Sequence, residues 1–157
     1  MKFIPATLCY IEKDSKILML HRVKKKKDMH KGKWNGLGGK FEFGESPKEC
    51  AIREIEEESG LKATKLFLNG LIVFPNFDGE NDWHAYLYHV TEFEGELIKD
   101  SNEGNLEWID KDKVLDLNIW DGDKLFIPWV LSDKRFSAKF IYENKVFKSH
   151  EVEFFND

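Results

Sequence analysis

The chain is short of cysteine: among its 157 residues there are two, Cys9 and Cys50. Two such residues build no disulfide framework, and Cys50 falls inside a predicted helix, so both read as small buried hydrophobes. Also missing is an apolar run that could span a bilayer, which takes about 20 residues. The first residues lack the pattern of a signal peptide. These absences lead us to expect a cytoplasmic protein with no membrane partner. Positive charge is in deficit too: 24 Lys and Arg against 29 Asp and Glu leave a net charge of -5. General nucleic-acid binders are usually basic, so no stable nucleic-acid partner is expected. A small anionic nucleotide is still admissible, because metal ions and a few local cations can neutralise its phosphates. Repeats, low-complexity segments and linkers are absent as well, and the length fits a single domain, residues 1–157, with a real core. His84 and His89 have no other His or Cys at metal-ligand spacing. Both read as sheet residues, with His84 at the rim of a pocket.

What is present points to a folded, aromatic-rich domain. The chain is 41% hydrophobic and 14% aromatic, well outside the range of disordered sequences. Thirteen Phe and five Trp exceed the needs of a core this size and leave some to grip a flat ligand. Thr7–Ile11 and Ile17–Leu20 are β-prone runs around a polar turn, a hairpin signature. The basic segment from His21 to Lys33 reads as a solvated loop. Arg22 stands apart there, since it ends a buried strand and can be aimed at phosphate. Further strands are expected at Leu66–Leu68, Leu71–Phe74 and Trp83–Val90, the last two joined by a loop over residues 78–82. Glu92–Asn102 reads as a surface loop and Leu106–Ile109 as a short strand. Asp110 caps a helix start. Lys124–Leu131 is a second amphipathic helix, shortened or kinked by Pro128. A C-terminal hairpin over 135–155 turns at Glu143–Asn144. Strands interleaved with two main helices predict an α/β (α+β) fold, a mixed sheet sandwiched between helices.

The stretch from Gly39 to Leu61 organises the rest. Ser46-Pro47-Lys48-Glu49 is a capping box with proline at the first helical position, and Gly60 is a left-handed stop. The helix should therefore run from Pro47 to Ser59. At about 100° per residue, Ala51, Ile52, Ile55 and Ser59 share one face. Glu54, Glu57 and Glu58 share a second, while Arg53 points elsewhere. Three carboxylates on one patch repel one another, and hard divalent cations with oxygen ligands are the natural compensation. A solvated acidic face is the plainer alternative. Just ahead, Trp34-Asn35-Gly36-Leu37-Gly38-Gly39 is a glycine-rich entry whose backbone can approach a ligand closely.

The pattern of Gly39, Glu45, Arg53-Glu54, Ile55, Glu57-Glu58, Gly60 and Leu61 resembles the Nudix box at every defined position. That resemblance implies a Nudix fold with a loop-helix-loop that binds magnesium or manganese and hydrolyses a nucleoside diphosphate linked to another group. It implies that Glu54, Glu57, Glu58 and the Gly38 carbonyl hold the metal. Gly39, Gly60 and the Glu45–Arg53 pair would be structural supports. A further glutamate from a later loop is implied, with Glu103 preferred over Glu107 because loops at strand ends reach active sites more readily. The general base is left open among Glu54, Glu58 and Glu103.

Along nearly its whole length the chain is similar to the MutT-like group that hydrolyses oxidised purine nucleoside triphosphates such as 8-oxo-dGTP. By that similarity Asn35 bonds a purine edge, Trp120 stacks on the base, and Thr7 and Phe74 line the pocket. Asp123 matches the second of two adjacent aspartates in the group, and Gly122 replaces the first. The substrate implied is a small-molecule nucleotide. Two other readings stand beside it: another Nudix hydrolase, acting on dinucleoside polyphosphates, nucleotide sugars or RNA 5′ ends, and a non-catalytic nucleotide sensor.

Overall fold

The computed structural model describes residues 1–98 and 101–155. Strands β1 (Phe3–Lys13), β2 (Lys16–His21) and β3 (Trp34–Asn35) precede helix α1 (Pro47–Ser59). Strands β4 (Lys62–Phe74), β5 (Asp82–Glu94) and β6 (Asn105–Asp110) follow. A 3₁₀ helix over Lys111–Asp116 leads to α2 (Asp123–Leu131) and the final hairpin of β7 (Arg135–Glu143) and β8 (Val146–Phe155). The strands form one mixed sheet in the order β3-β2-β1-β5-β4-β7-β8, with β6 beside β2. The β1–β5 and β4–β7 pairs are parallel, and the rest antiparallel.

Alternation along the strands splits the interior into two cores. Cys9, Ile11, Leu18, Leu20, Tyr88 and Val90 face α1, where Ala51, Ile55 and Leu61 meet them. Their sequence neighbours Tyr10, Ile17, Met19 and Leu87 face the other way, onto Phe126, Ile127 and Val130 of α2 and Phe136 and Phe140 of β7. The sheet is thus covered on both faces, as the interleaved pattern predicts. Both cysteines are free and buried.

Helix α1 has the bounds its local signals set. Ser46 accepts from the Glu49 amide at 3.1 Å, the Glu49 carboxylate accepts from the Ser46 amide at 2.9 Å, and Gly60 closes the helix at φ 79°. Elsewhere the expected boundaries move. The two runs at 66–68 and 71–74 are one strand, β4, because register shifts near Lys65 and Asn69 let it stay paired to β5 throughout. That pairing also carries β5 on to Glu94, so Glu92–Glu94 are strand and not loop. Lys99 and Asp100 of the expected loop lie outside the described residues. The turn between β4 and β5 begins at Pro75, earlier than the glycine and acidic residues indicate. The segment after Asp110 is 3₁₀, and Asp110 makes no side-chain cap. Helix α2 runs through Pro128 and ends at Leu131.

His89 is buried in β5, and each ring nitrogen lies 2.8 Å from a carboxylate, Glu12 on one side and Asp133 on the other. Asn69 donates to Asp133 at 3.0 Å and to the Val130 carbonyl at 2.9 Å. His84 leans on Phe3 at 5.1 Å and does not line the cleft, contrary to the rim position expected; its neighbour Trp83 does. Among the described residues no helix is long and apolar enough to cross a membrane.

Candidate active site

A cleft of about 510 Å³ opens beside α1. One end is polar and lined by Gly38, Gly39, Glu54, Arg22 and Glu103. The other is aromatic and lined by Phe74, Phe77, Trp120 and Tyr142. Asn35 and Asp123 also line the cleft, as does Thr7, whose hydroxyl lies 3.5 Å from the Gly39 carbonyl. Five residues expected near the metal or supporting it do not line this surface: Glu45, Arg53, Glu57, Glu58 and Gly60.

The polar end is built by the glycine loop lying against β1. The Gly39 carbonyl accepts from the Thr7 amide at 2.9 Å, and Leu37 bridges to Cys9. Gly38 sits at φ 146°, and a side chain there would overlap the Thr7 carbonyl. Its N–H donates to Glu58 Oε1 at 2.7 Å, which ties the loop to the last turn of α1. At Gly39 an added Cβ would come 2.6 Å from the Glu54 carboxylate, so glycine there leaves room for Glu54.

The carboxylates are not equivalent. Glu58 is buried, and that burial pushes its pKa well up, with Glu103 and Glu54 adding to the rise against the Gly38 N–H. Burial likewise raises Glu54, helped by Glu57 and Glu103 and opposed by Arg53. Glu57 turns outward, with its side chain 59% exposed. Arg53 does not point away from this patch as the helical projection implies. Its long side chain curls back, bonding Glu54 at 2.9 Å and Glu57 at 3.1 Å. It also binds Glu45 through two contacts of 2.7 and 2.9 Å. That fork holds the Glu45 carboxyl down at about 2. The guanidinium thus neutralises a patch that would otherwise repel itself. Among the described residues no three His, Cys, Asp or Glu side chains converge as a finished metal cage. The donor set is nonetheless hard oxygen, with buried carboxylates whose proton affinity is raised partly by one another, which suits a divalent cation.

Of the two rivals for the outlying glutamate, Glu103 lines the cleft, whereas Glu107 is exposed on β6. Arg22 lines the cleft as expected, but its guanidinium already holds Asp28 through contacts of 2.9 and 3.1 Å and lies 3.7 Å from Glu103. Burial works against the Asp28 charge, yet the His30 amide and Arg22 keep its pKa below the ordinary value.

At the aromatic end Trp120 is fixed by its indole N–H, which donates to His30 Nδ1 at 2.8 Å. Burial, with the Arg22 charge, pushes His30 down to about 4, so its imidazole is neutral and free to accept. Phe77 packs edge-on to Trp120 and to Tyr142, with centroids 5.1 Å away in each case. Asp123 is buried, which lifts its carboxyl to about 8 against the pull of Lys33. Asn35 Nδ2 and the Tyr10 hydroxyl are buried with no hydrogen-bond partner. Sequence reasoning missed His30, Phe77 and Tyr142. A lone Phe in the polar turn after β4 was a usable signal for Phe77; the other two come to the cleft only through tertiary packing.

Comparison with known proteins agrees with this geometry. Residues 2–130 match the sequence model of the NUDIX domain. The chain is 37% identical over 129 residues to an oxidized purine nucleoside triphosphate hydrolase of Danio rerio, covering 82% of this chain and 78% of that protein. It is 29% identical over 123 residues to a CTP pyrophosphohydrolase of Escherichia coli, covering 73% and 82% of the two. The crystal structure of a MutT protein from Bacillus halodurans superposes with a TM-score of 0.86 at 33% identity, over 96% of this chain and 97% of that one. Family model, relatives and fold agree: the chain belongs to the Nudix family and is a Nudix hydrolase.

Proposed function

We propose that the protein hydrolyses oxidised purine nucleoside triphosphates such as 8-oxo-dGTP to the nucleoside monophosphate and pyrophosphate in a magnesium-dependent reaction. It would thereby clear damaged nucleotides from the pool, in keeping with the cytoplasmic location expected from the sequence. One observation carries this reading: a single cleft joins an aromatic chamber with polar groups on its walls to the acidic end of α1. A purine fits the first, and a polyphosphate with its cations fits the second.

Glu54, Glu57, Glu58, Glu103 and the Gly38 carbonyl would hold the ions, magnesium or manganese. Bound there, a divalent cation supplies Lewis-acid polarisation of phosphoryl oxygens and eases deprotonation of the attacking water. The protein supplies the rest. Trp120 and Phe74 offer faces for the base, Asn35 and Asp123 bond its edge, Thr7 shapes the wall beside it, and Arg22 faces the phosphates. The proton of the attacking water passes to one of Glu54, Glu58 and Glu103. Gly39 and the Glu45–Arg53 pair hold the loop and helix in register, and Gly60 ends the helix where the chain must turn.

A panel of nucleotides with magnesium, assayed for pyrophosphate against phosphate, tests the reading. Pyrophosphate from 8-oxo-dGTP supports it. Monophosphate from dinucleoside polyphosphates, nucleotide sugars or capped RNA, with oxidised purines untouched, replaces it with another Nudix activity. Tight binding without any product replaces it with a nucleotide sensor.

A further inference from the structure

Position 122 is occupied by a residue from another element. Gly122 has no side chain to offer the cleft, and Tyr142, at the far end of β7, fills its place. The Gly122 N–H donates to the Tyr142 hydroxyl at 2.7 Å. A Cβ added at 122 would lie 2.6 Å from that oxygen and 2.8 Å from Phe140 Cδ2. Glycine at 122 and tyrosine at 142 are therefore a matched pair, and neither can be exchanged freely while the other stays.

The Tyr142 ring is fixed on several sides. It meets Trp120 edge-on with centroids 5.7 Å apart, Phe77 at 5.1 Å and Phe147 at 5.3 Å. The residue is 6% exposed and lines the cleft. A phenol has one proton to give and two lone pairs to accept with. The Gly122 amide takes one lone pair. The proton has no acceptor at hydrogen-bond distance among the described residues. Asn35 Nδ2, also buried and lining the cleft, is a second donor without a partner. Buried donors are almost always satisfied in a folded protein with its ligand, so the cleft asks its ligand for acceptors. Burial and the neighbouring Asp123 push the phenol pKa up, so the hydroxyl keeps its proton across the working pH range.

We propose that the Tyr142 hydroxyl, oriented by the Gly122 amide, is a specificity-determining donor that selects 6-oxopurine over 6-aminopurine nucleotides. This rests on the purine reading of the cleft and names which purines it takes. A 6-carbonyl presents lone pairs to the unpaired proton. A 6-amino group presents further donors and leaves that proton, and the Asn35 amide, unsatisfied.

The deoxynucleoside triphosphates of 8-oxohypoxanthine and 8-oxoadenine isolate the effect, since they differ at C6 and at the N1 proton that follows from it. With magnesium, kcat/KM for the 6-oxo compound should exceed that for the 6-amino compound by about tenfold or more, the usual scale for one directed hydrogen bond. Tyr142→Phe keeps the ring packing and should lower this ratio about tenfold. Gly122→Ala reaches the same hydroxyl from the other side by crowding it, and should lower the ratio likewise. Thermal melting establishes that each variant is folded. A ratio unchanged in both folded variants, or two rates falling in parallel, overturns the proposal. If Tyr142→Phe does not fold, the ratio in Gly122→Ala decides. Hydrolysis of both nucleotides without preference by the parent protein refutes this inference alone. Hydrolysis of neither, nor of 8-oxo-dGTP, refutes the purine reading itself.

Discussion

Replacing Asp123 with Asn should make the protein more stable at neutral pH, and the gain should vanish in acid. Burial lifts the Asp123 carboxyl from the ordinary 3.8 to about 8. The folded protein therefore keeps a proton that the unfolded chain releases above about pH 4. Stability from this group is greatest below that value, falls as pH rises toward about 8, and is level beyond. From 3.8 to neutrality is about three pH units, each worth about 1.4 kcal/mol. The wild type thus loses up to about 4 kcal/mol at pH 7 through this one group. Asn has nearly the same shape and no proton to acquire. Its advantage should reach about 4 kcal/mol near pH 7, a rise in melting temperature of up to about 10 °C for a chain this long, and shrink toward zero near pH 4. Urea denaturation of both proteins across that range measures it, and the outcome does not depend on which nucleotide is the substrate. Parallel stability curves for the two proteins between pH 5 and 8 would refute the reasoning.

Three other outcomes follow from the site. Gly39→Ala puts a methyl 2.6 Å from the carboxylate at the far end of the Glu54 side chain, so the fold should survive while turnover falls by about 10²-fold, as a displacement of about 1 Å at a reacting centre can produce; a kcat near the parent value would show that Glu54 has no fixed role. Glu57→Gln and Glu58→Gln should each cut hydrolysis by about a hundredfold or more with unaltered circular dichroism, and near-normal turnover at ordinary magnesium would remove that residue from the site. Glu45 is held near 2 against an unfolded value of 4.5, so it stabilises above the latter and loses its effect as pH falls between the two; Glu45→Gln should flatten that part of the acid unfolding curve, and an unchanged curve would count against the Arg53 fork.

How much of this was legible depended on how far each contact reaches along the chain. Helix α1 could be bounded at both ends because its capping box, N1 proline and C-terminal glycine all act within a few residues. The C-terminal hairpin was visible for the same reason. The parallel pairing of β1 with β5 is invisible locally, since it joins Phe3 to Asp82 and Ile11 to Val90. That pairing is also what draws β1 back to Phe3, while Glu12 and Lys13 pair with β2. Within the site, the resemblance gathered Thr7, Asn35, Phe74, Trp120 and Asp123, and all five line one cleft. It did not foresee Arg53 turning back across the acidic patch, because a helical projection fixes Cβ directions and not where a long side chain ends. Nor did it foresee Asp28 holding Arg22, or Tyr142 standing in the space above Gly122, since each depends on segments that only the finished fold brings together.

The imidazole of His89 carries a consequence for the order in which the chain assembles. Glu12 and Asp133 meet on its two nitrogens, and Asn69 ties Asp133 to the Val130 carbonyl at the end of α2. Those bonds join residues 44 to 77 positions apart in the chain, and contacts closing such long loops tend to arrive late. The knot therefore acts as a latch that snaps shut behind the folding barrier. Its removal should hasten unfolding in a chevron experiment and leave the refolding limb almost where it was.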